Sequence, residues 1–165
     1  MKNNKIFTAV FCLFIMVFGM LTAVAQTESL NLKEISLKLN DNSIVKVSDL
    51  KGKVVLIDFW YRGCFPCLKA IPDLIKLQEE FKGDLVIIGI NDIDIKEDVI
   101  DYFDYKNVNY LSTYKTSYNI SKNFKIKAFP TTILYDKQGN VIQTDTGYNK
   151  TGIRKLRKAI KTALK

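Results

Sequence analysis

Residues 54–72 read Val-Val-Leu-Ile-Asp-Phe-Trp-Tyr-Arg-Gly-Cys-Phe-Pro-Cys-Leu-Lys-Ala-Ile-Pro. The first four are a short continuous apolar run, the pattern of a central strand buried on both faces. From Cys67 to Phe81 the apolar residues Leu68, Ile71, Leu74, Ile75, Leu77 and Phe81 recur at helical spacing, with Lys69, Lys76, Glu79 and Glu80 mostly opposite. Pro72 falls inside that pattern, where a bend is expected, and Gly83 ends it. The stretch is therefore strand, turn and helix, with two cysteines at the turn. In open α/β sheets the crevice at the carboxyl ends of strands is where chemistry takes place. A thiol at a helix N-terminus meets unpaired backbone N–H groups and the positive end of the helix dipole, which favour thiolate. Cys64 is the expected nucleophile, exposed and of lowered pKa. Cys67, one turn on and more buried, is the expected resolving thiol. Pro66 sits in the first turn, where proline removes no helical hydrogen bond.

Outward from this stretch, residues 30–39 alternate apolar and polar, and Ile44–Val47 returns after an Asp41-Asn42 turn, a hairpin. Leu85–Ile90 is a second buried-strand run. Residues 95–105 read as helical, Val108–Leu111 as a strand and 116–123 as a short helix. Thr131–Tyr135 and Val141–Thr144 flank Asp-Lys-Gln-Gly-Asn at 136–140, a hairpin signal. Ile153, Leu156, Ile160 and Leu164 mark a last amphipathic helix. The order is hairpin, β, α, β, α, β, α, β, β, α: an α/β fold with a mixed sheet flanked by helices, in one domain over residues 26–165.

The N-terminus is different in kind. Lys2 and Lys5 precede an apolar run from Ile6 to about Ala23, and Ala23-Val24-Ala25 supplies small residues where a signal peptidase needs them. Residues 1–25 read as a signal peptide cleaved before Gln26, with an uncleaved membrane anchor as the alternative. Cys12 lies mid-run without a small residue before it, unlike a lipid-attachment cysteine. Removal of this leader takes Lys plus Arg from 25 to 23 against 17 acids, a net charge of +6 rather than +8. It also leaves Cys64 and Cys67 as the mature chain's only cysteines. The expected location is periplasmic or otherwise exported.

The chain has no histidine. That excludes a Ser-His or Cys-His nucleophile, haem attachment through Cys-x-x-Cys-His and most zinc or copper sites. The spaced cysteines without a second metal-binding pair leave redox chemistry or an inert disulfide, and a bridge closing so short a loop constrains the unfolded chain little.

The 54–72 stretch resembles the active-site segment of thioredoxin-fold proteins. Phe129-Pro130-Thr131-Thr132, following Lys125-Ile126-Lys127-Ala128, is similar to that family's cis-proline segment. The opening hairpin ending at Ser48-Asp49-Leu50-Lys51-Gly52-Lys53 and the extra helical segment near 95–105 are similar to the exported TlpA/ResA-like branch. The resemblance covers residues 30–165 and implies an exported thiol–disulfide oxidoreductase with a redox-active Cys64–Cys67 disulfide. It implies that Pro130 is cis and packs on the pair, and that Phe129 and Trp60 belong to the substrate surface, with the Phe129 backbone pairing an extended segment. Asp58 matches a buried carboxylate that relays a proton to the resolving thiol, its pKa raised towards neutrality. No cofactor is implied beyond the cysteines. The expected partners are disulfide-bearing exported proteins or apocytochromes, and a membrane thiol-electron carrier as reductant. The protein is expected to act as a monomer, without nucleic acid.

Two departures carry expectations of their own. Gly63 stands where relatives carry Trp, which removes an apolar rim and is expected to widen the groove. Phe65 offers Cys64 no charge or hydrogen bond, so reduction is expected over oxidation. A peroxiredoxin-like peroxidase would need Pro and Thr where Ile57 and Tyr61 stand. A binding module with a locked disulfide, or a copper chaperone, is the non-enzymatic alternative. The seven basic residues of 150–165 read as a solvated face or as a contact with an anionic surface. Tyr102, Tyr105, Tyr110, Tyr114 and Tyr118 read as packing or as a partner groove.

Overall fold

The computed structural model describes residues 35–116 and 118–165. The leader, its cleavage site, Cys12 and the first part of the opening strand lie outside the described residues.

The apolar run Val54–Phe59 (β3) is buried along its whole length because it is the middle strand of five. It pairs in parallel with Leu85–Ile90 (β4) and antiparallel with Thr131–Tyr135 (β6). Leu111–Ser112 (β5) extends the sheet beyond β4, and Val141–Thr146 (β7) extends it beyond β6, giving the order β5-β4-β3-β6-β7. The sheet is mixed, as the sequence order predicts. The opening hairpin, Ser36–Lys38 (β1) with Ile44–Lys46 (β2), forms a separate two-stranded sheet. Its turn is held by Asp41, whose Oδ1 accepts from the Ser43 amide at 2.9 Å. In the β6–β7 turn, Asp136 Oδ1 accepts from the amides of Gln138 and Asn140, and Gly139 takes a φ of 82°.

Among the described residues four α-helices cover the sheet: Phe65–Glu80 (α1), Lys96–Lys106 (α2), Ile120–Asn123 (α3) and Lys150–Ala163 (α4). Helix α1 runs on to Glu80 past Pro72, which has no N–H to offer the Leu68 carbonyl. Helix α3 is shorter than the 116–123 reading because it starts at an Asn119 cap whose side chain accepts from the Lys122 amide. The strand read at 108–111 is two residues long and shifted to 111–112, since Tyr110 turns inward and packs edge-on against Phe103.

Alternation along β3 sorts the core into two layers. Val54, Leu56 and Trp60 pack with α1, α2 and α4 residues such as Leu74, Phe103 and Ile160. Val55, Ile57 and Phe59 pack on the other face with Ile88, Ile90 and the hairpin's Leu37. Both cysteines belong to the first layer. On α4, Arg157 and Lys161 reach Glu80 of α1 at 2.7 and 3.3 Å, and Lys150 reaches Asp73 at 2.7 Å, so three of its basic residues are engaged in tying two helices together. No helix among the described residues is long and apolar enough to cross a membrane.

Candidate active site

Strand β3 ends at Phe59 and helix α1 begins at Phe65, so residues 60–64 form a loop at the carboxyl edge of the sheet's central strand. Cys64 is the cap residue of α1, in extended conformation, and Cys64 and Cys67 form a disulfide. Cys64 Sγ also accepts a hydrogen bond from the Cys67 amide at 3.2 Å. That amide is one of the donors a helix start leaves without an intrahelical partner. In the reduced state it can hold a Cys64 thiolate, assisted by the helix dipole. Both residues are buried in the oxidised state, Cys64 at 5% exposure and Cys67 at 1%. Cys64 is the more accessible of the two, yet it is not the exposed thiol the sequence suggests, because Tyr61, Leu68 and Phe129 pack against the layer that holds both sulfurs.

Asp58 shares the alternation of Leu56 and Trp60, which directs it to the cysteine-bearing side of the sheet. The register places Ser112, Gly89, Asp58, Thr132 and Asp145 on one rung across five strands. Asp58 is wholly buried and its Oδ1 has no hydrogen-bond partner among the described residues. Loss of hydration alone pushes its pKa up to about 7.

The Phe129–Pro130 peptide is cis. Pro130 is buried and immediately precedes Thr131, which pairs with Phe59 at the end of β3. This sets the cis-proline segment beside the cysteine loop. The Ala128 carbonyl accepts from Thr131 Oγ1 at 2.8 Å and the Pro130 carbonyl from the Gly147 amide at 2.8 Å. Between them, the amide and carbonyl of Phe129 have no hydrogen-bond partner among the described residues. The Phe129 ring meets the edge of Tyr61 with centroids 5.3 Å apart. A Cβ on Gly63 would lie 2.9 Å from Tyr61 Cε2. Tyr61 thus occupies the space that a side chain at 63 would take. Phe65, by contrast, stands 68% exposed beside Cys64, with Lys69 Nζ 4.4 Å from its ring centre.

The loop is tied to the segment after β4. Asp94 Oδ2 accepts from the Arg62 amide and from Asn91 Nδ2, both at 2.7 Å. Asn91 is wholly buried, and its Oδ1 in turn accepts from the amides of Ile93 and Asp94. The Arg62 guanidinium meets Asp98 in the first turn of α2 at 2.6 Å. Among the described residues no group of three or more His, Cys, Asp and Glu is placed to hold a metal ion.

Residues 27–162 match the Redoxin family, which is most of the chain. The chain belongs to the Redoxin family. Within it, the thiol-disulfide oxidoreductase ResA of Bacillus subtilis is 31% identical over 104 residues, covering 62% of this chain and 58% of that protein. The ResA of Oceanobacillus iheyensis is 32% identical over 111 residues, covering 67% and 57%. The Redoxin chain thus spans less than two thirds of the length of these curated relatives. Among solved structures, a thiol:disulfide interchange protein of the thioredoxin family from Chlorobium tepidum superposes with a TM-score of 0.68 at 21% identity, covering 82% of this chain and 96% of that one. The Redoxin fold is thioredoxin-like.

Of the residues singled out from sequence, Cys64, Cys67, Asp58, Phe129 and Pro130 lie at this one end of the Redoxin sheet. Trp60 does not join the surface. It is 1% exposed, donates from Nε1 to Ser112 Oγ at 2.9 Å and stacks on Phe103 at 5.2 Å. Packed with Leu56 and Phe103 in the layer beneath the helices, it is a core residue, which corrects its assignment to substrate binding. Tyr61, Asp94 and Asp98 were not anticipated. An aromatic residue two before Gly63 was the available hint for Tyr61. The acids contact the loop from 32 and 36 residues away, beyond any local pattern.

Proposed function

We propose that this Redoxin protein is a thiol–disulfide oxidoreductase that reduces disulfides of exported proteins or apocytochromes. The observation that carries the reading is a disulfide whose first sulfur caps a helix and accepts from the second cysteine's amide. In the reduced protein, Cys64 thiolate attacks one substrate sulfur, forming a mixed disulfide and releasing one substrate thiolate. Cys67 then loses its proton and attacks Cys64 Sγ, which breaks the mixed disulfide, releases the second substrate thiolate and forms the Cys64–Cys67 bond. Two electrons pass to the substrate. Asp58, buried on the same side and titrating near neutrality, takes the Cys67 proton. The unpartnered amide and carbonyl of Phe129 are suited to pair with an extended substrate segment.

Export rests on the leader read at residues 1–25, and the relatives' printed names describe the same dithiol chemistry. A thiol carrier in the membrane is the proposed source of electrons, and the protein acts as a monomer. The decisive experiment reduces the purified protein with dithiothreitol and follows turnover of insulin disulfides. Turnover that disappears in Cys64→Ser is expected. A cysteine pair that no thiol couple reduces, or turnover with hydrogen peroxide in place of a disulfide, would overturn the proposal.

A further inference from the structure

Arg62 is the cation nearest to Cys64 in the chain, two residues before it. Its position is controlled from outside the motif. Asp94 holds the Arg62 backbone, and Asp98 takes the guanidinium at 2.6 Å. Asp98 is itself well placed, since acids are favoured in the first turn of a helix. Both side chains of the pair are a little under half exposed, 43% and 44%, so the contact is a solvent-facing one of the weak class.

We propose that Asp98 sets the redox equilibrium of the cysteine pair by keeping the Arg62 guanidinium on helix α2 instead of beside the Cys64 sulfur. Asp98 is on this view a positioning residue, and the inference rests on the oxidoreductase reading given above. Only the reduced protein carries a Cys64 thiolate. A cation released next to that thiolate stabilises the reduced form, lowers the thiol's pKa and makes the disulfide a stronger oxidant. Holding the cation on α2 has the reverse effect and suits a reductant. Other charged or titratable groups near this loop are Tyr61 within it, the buried Asp58 of β3, Cys67 and Lys69 of α1, Asp94 ahead of α2, and Tyr102 of α2, which feels the Arg62 charge. Lys69 lies over the Phe65 ring. All of these remain unchanged when Asp98 alone is altered.

The test uses the full chain and compares wild type, Asp98→Asn, Arg62→Ala, the double variant and Asp98→Glu. Two quantities are measured: the equilibrium of the Cys64–Cys67 pair with glutathione, and the pH midpoint of the thiolate's ultraviolet absorbance. Asp98→Asn is expected to move the equilibrium towards the dithiol by roughly twofold to fivefold, the range an exposed ion pair supplies, and to lower the midpoint. Asp98→Glu keeps the wild-type values. In the Arg62→Ala background the Asp98→Asn shift falls to less than half, the coupling a double-mutant cycle isolates. An Asp98→Asn protein with unchanged equilibrium and midpoint overturns the inference, as does an equal shift in the absence of Arg62. Insulin turnover by wild type is scored separately: its absence defeats the oxidoreductase reading and leaves the glutathione and thiolate measurements to judge Asp98.

Discussion

The ring of Tyr61 stands edge-on to the ring of Phe129 at 5.3 Å and so joins the two chain segments on either side of the cysteine pair. One ring comes from the loop before helix α1, the other from the residue before cis-Pro130. The same Tyr61 ring fills the space above Gly63. Tyr61→Ala is expected to destabilise the protein by more than about 1 kcal/mol, the value of such an aromatic pair before its buried area is counted. It is also expected to raise the rate at which iodoacetamide alkylates Cys64 in the reduced protein. An unchanged alkylation rate would show that the ring does not shield the sulfur.

Asp58 makes stability depend on pH in an unusual direction for a carboxylate. Its folded pKa lies near 7, above the ordinary value of 3.8. Between those values the folded state binds more protons than the unfolded state, so stability falls as pH rises through this window. The Asp58→Asn protein lacks this loss. Its advantage over wild type should grow by a few kcal/mol, on the order of 4 at most, between about pH 4 and pH 8, as read by urea unfolding at each pH. A constant difference would mean that Asp58 is hydrated. In the reduced protein the same substitution should slow release of the mixed disulfide at neutral pH.

Asp73 carries the opposite sign. Burial disfavours its charge, but hydrogen bonds from Lys150 and Tyr148 outweigh burial and hold its pKa below the ordinary 3.8. Such a group contributes stability that is present above the unfolded pKa and lost as pH falls through the folded one. Lys150→Met is therefore expected to lower the melting temperature at neutral pH. The deficit should shrink as the solution is acidified below about pH 4. A deficit that does not change with acidification would assign the loss to packing of the lysine stem.

Trp60 and Gly89 form a second test of the core. A Cβ on Gly89 would lie 2.7 Å from Ser112 Oγ and 2.8 Å from Trp60 Nε1. Gly89→Ala is expected to cost about 1–3 kcal/mol through overpacking. Trp60→Phe removes the donor to Ser112 and should cost a similar amount by denaturant unfolding, about 1–3 kcal/mol, with little change in KM for a disulfide substrate. A raised KM without lost stability would return Trp60 to the substrate surface.

Hydrophobic periodicity made most of the fold legible. Val54–Ile57 and Leu85–Ile90 could be read as central strands because both their faces are covered, and Leu156 and Ile160 because α4 buries a single stripe. The edge was less legible: β5 is two residues long, and the inward turn of Tyr110 leaves no alternation to detect. At the site, the cysteines and Pro130 stand in local patterns. Asp58 emerged from its spacing to Cys64 together with a family resemblance. The resemblance misplaced Trp60, which is buried in the same layer as Leu56 and donates to Ser112 across the sheet. Tyr61 over Gly63, and Asp94 under Arg62, depend on how loops meet in space, which no local spacing encodes.

Asp94 accepts hydrogen bonds from two different loops with one oxygen, and this has a consequence for how such proteins diverge. The loop that leads into Cys-Phe-Pro-Cys is tied at Arg62 to the stretch leading into α2, although 32 positions separate Arg62 from Asp94 along the chain. Transplanting the four-residue motif alone into another scaffold would carry the reactive atoms without their mounting. Two descendants with the same four letters but different α2 entry segments are, in engineering terms, different devices.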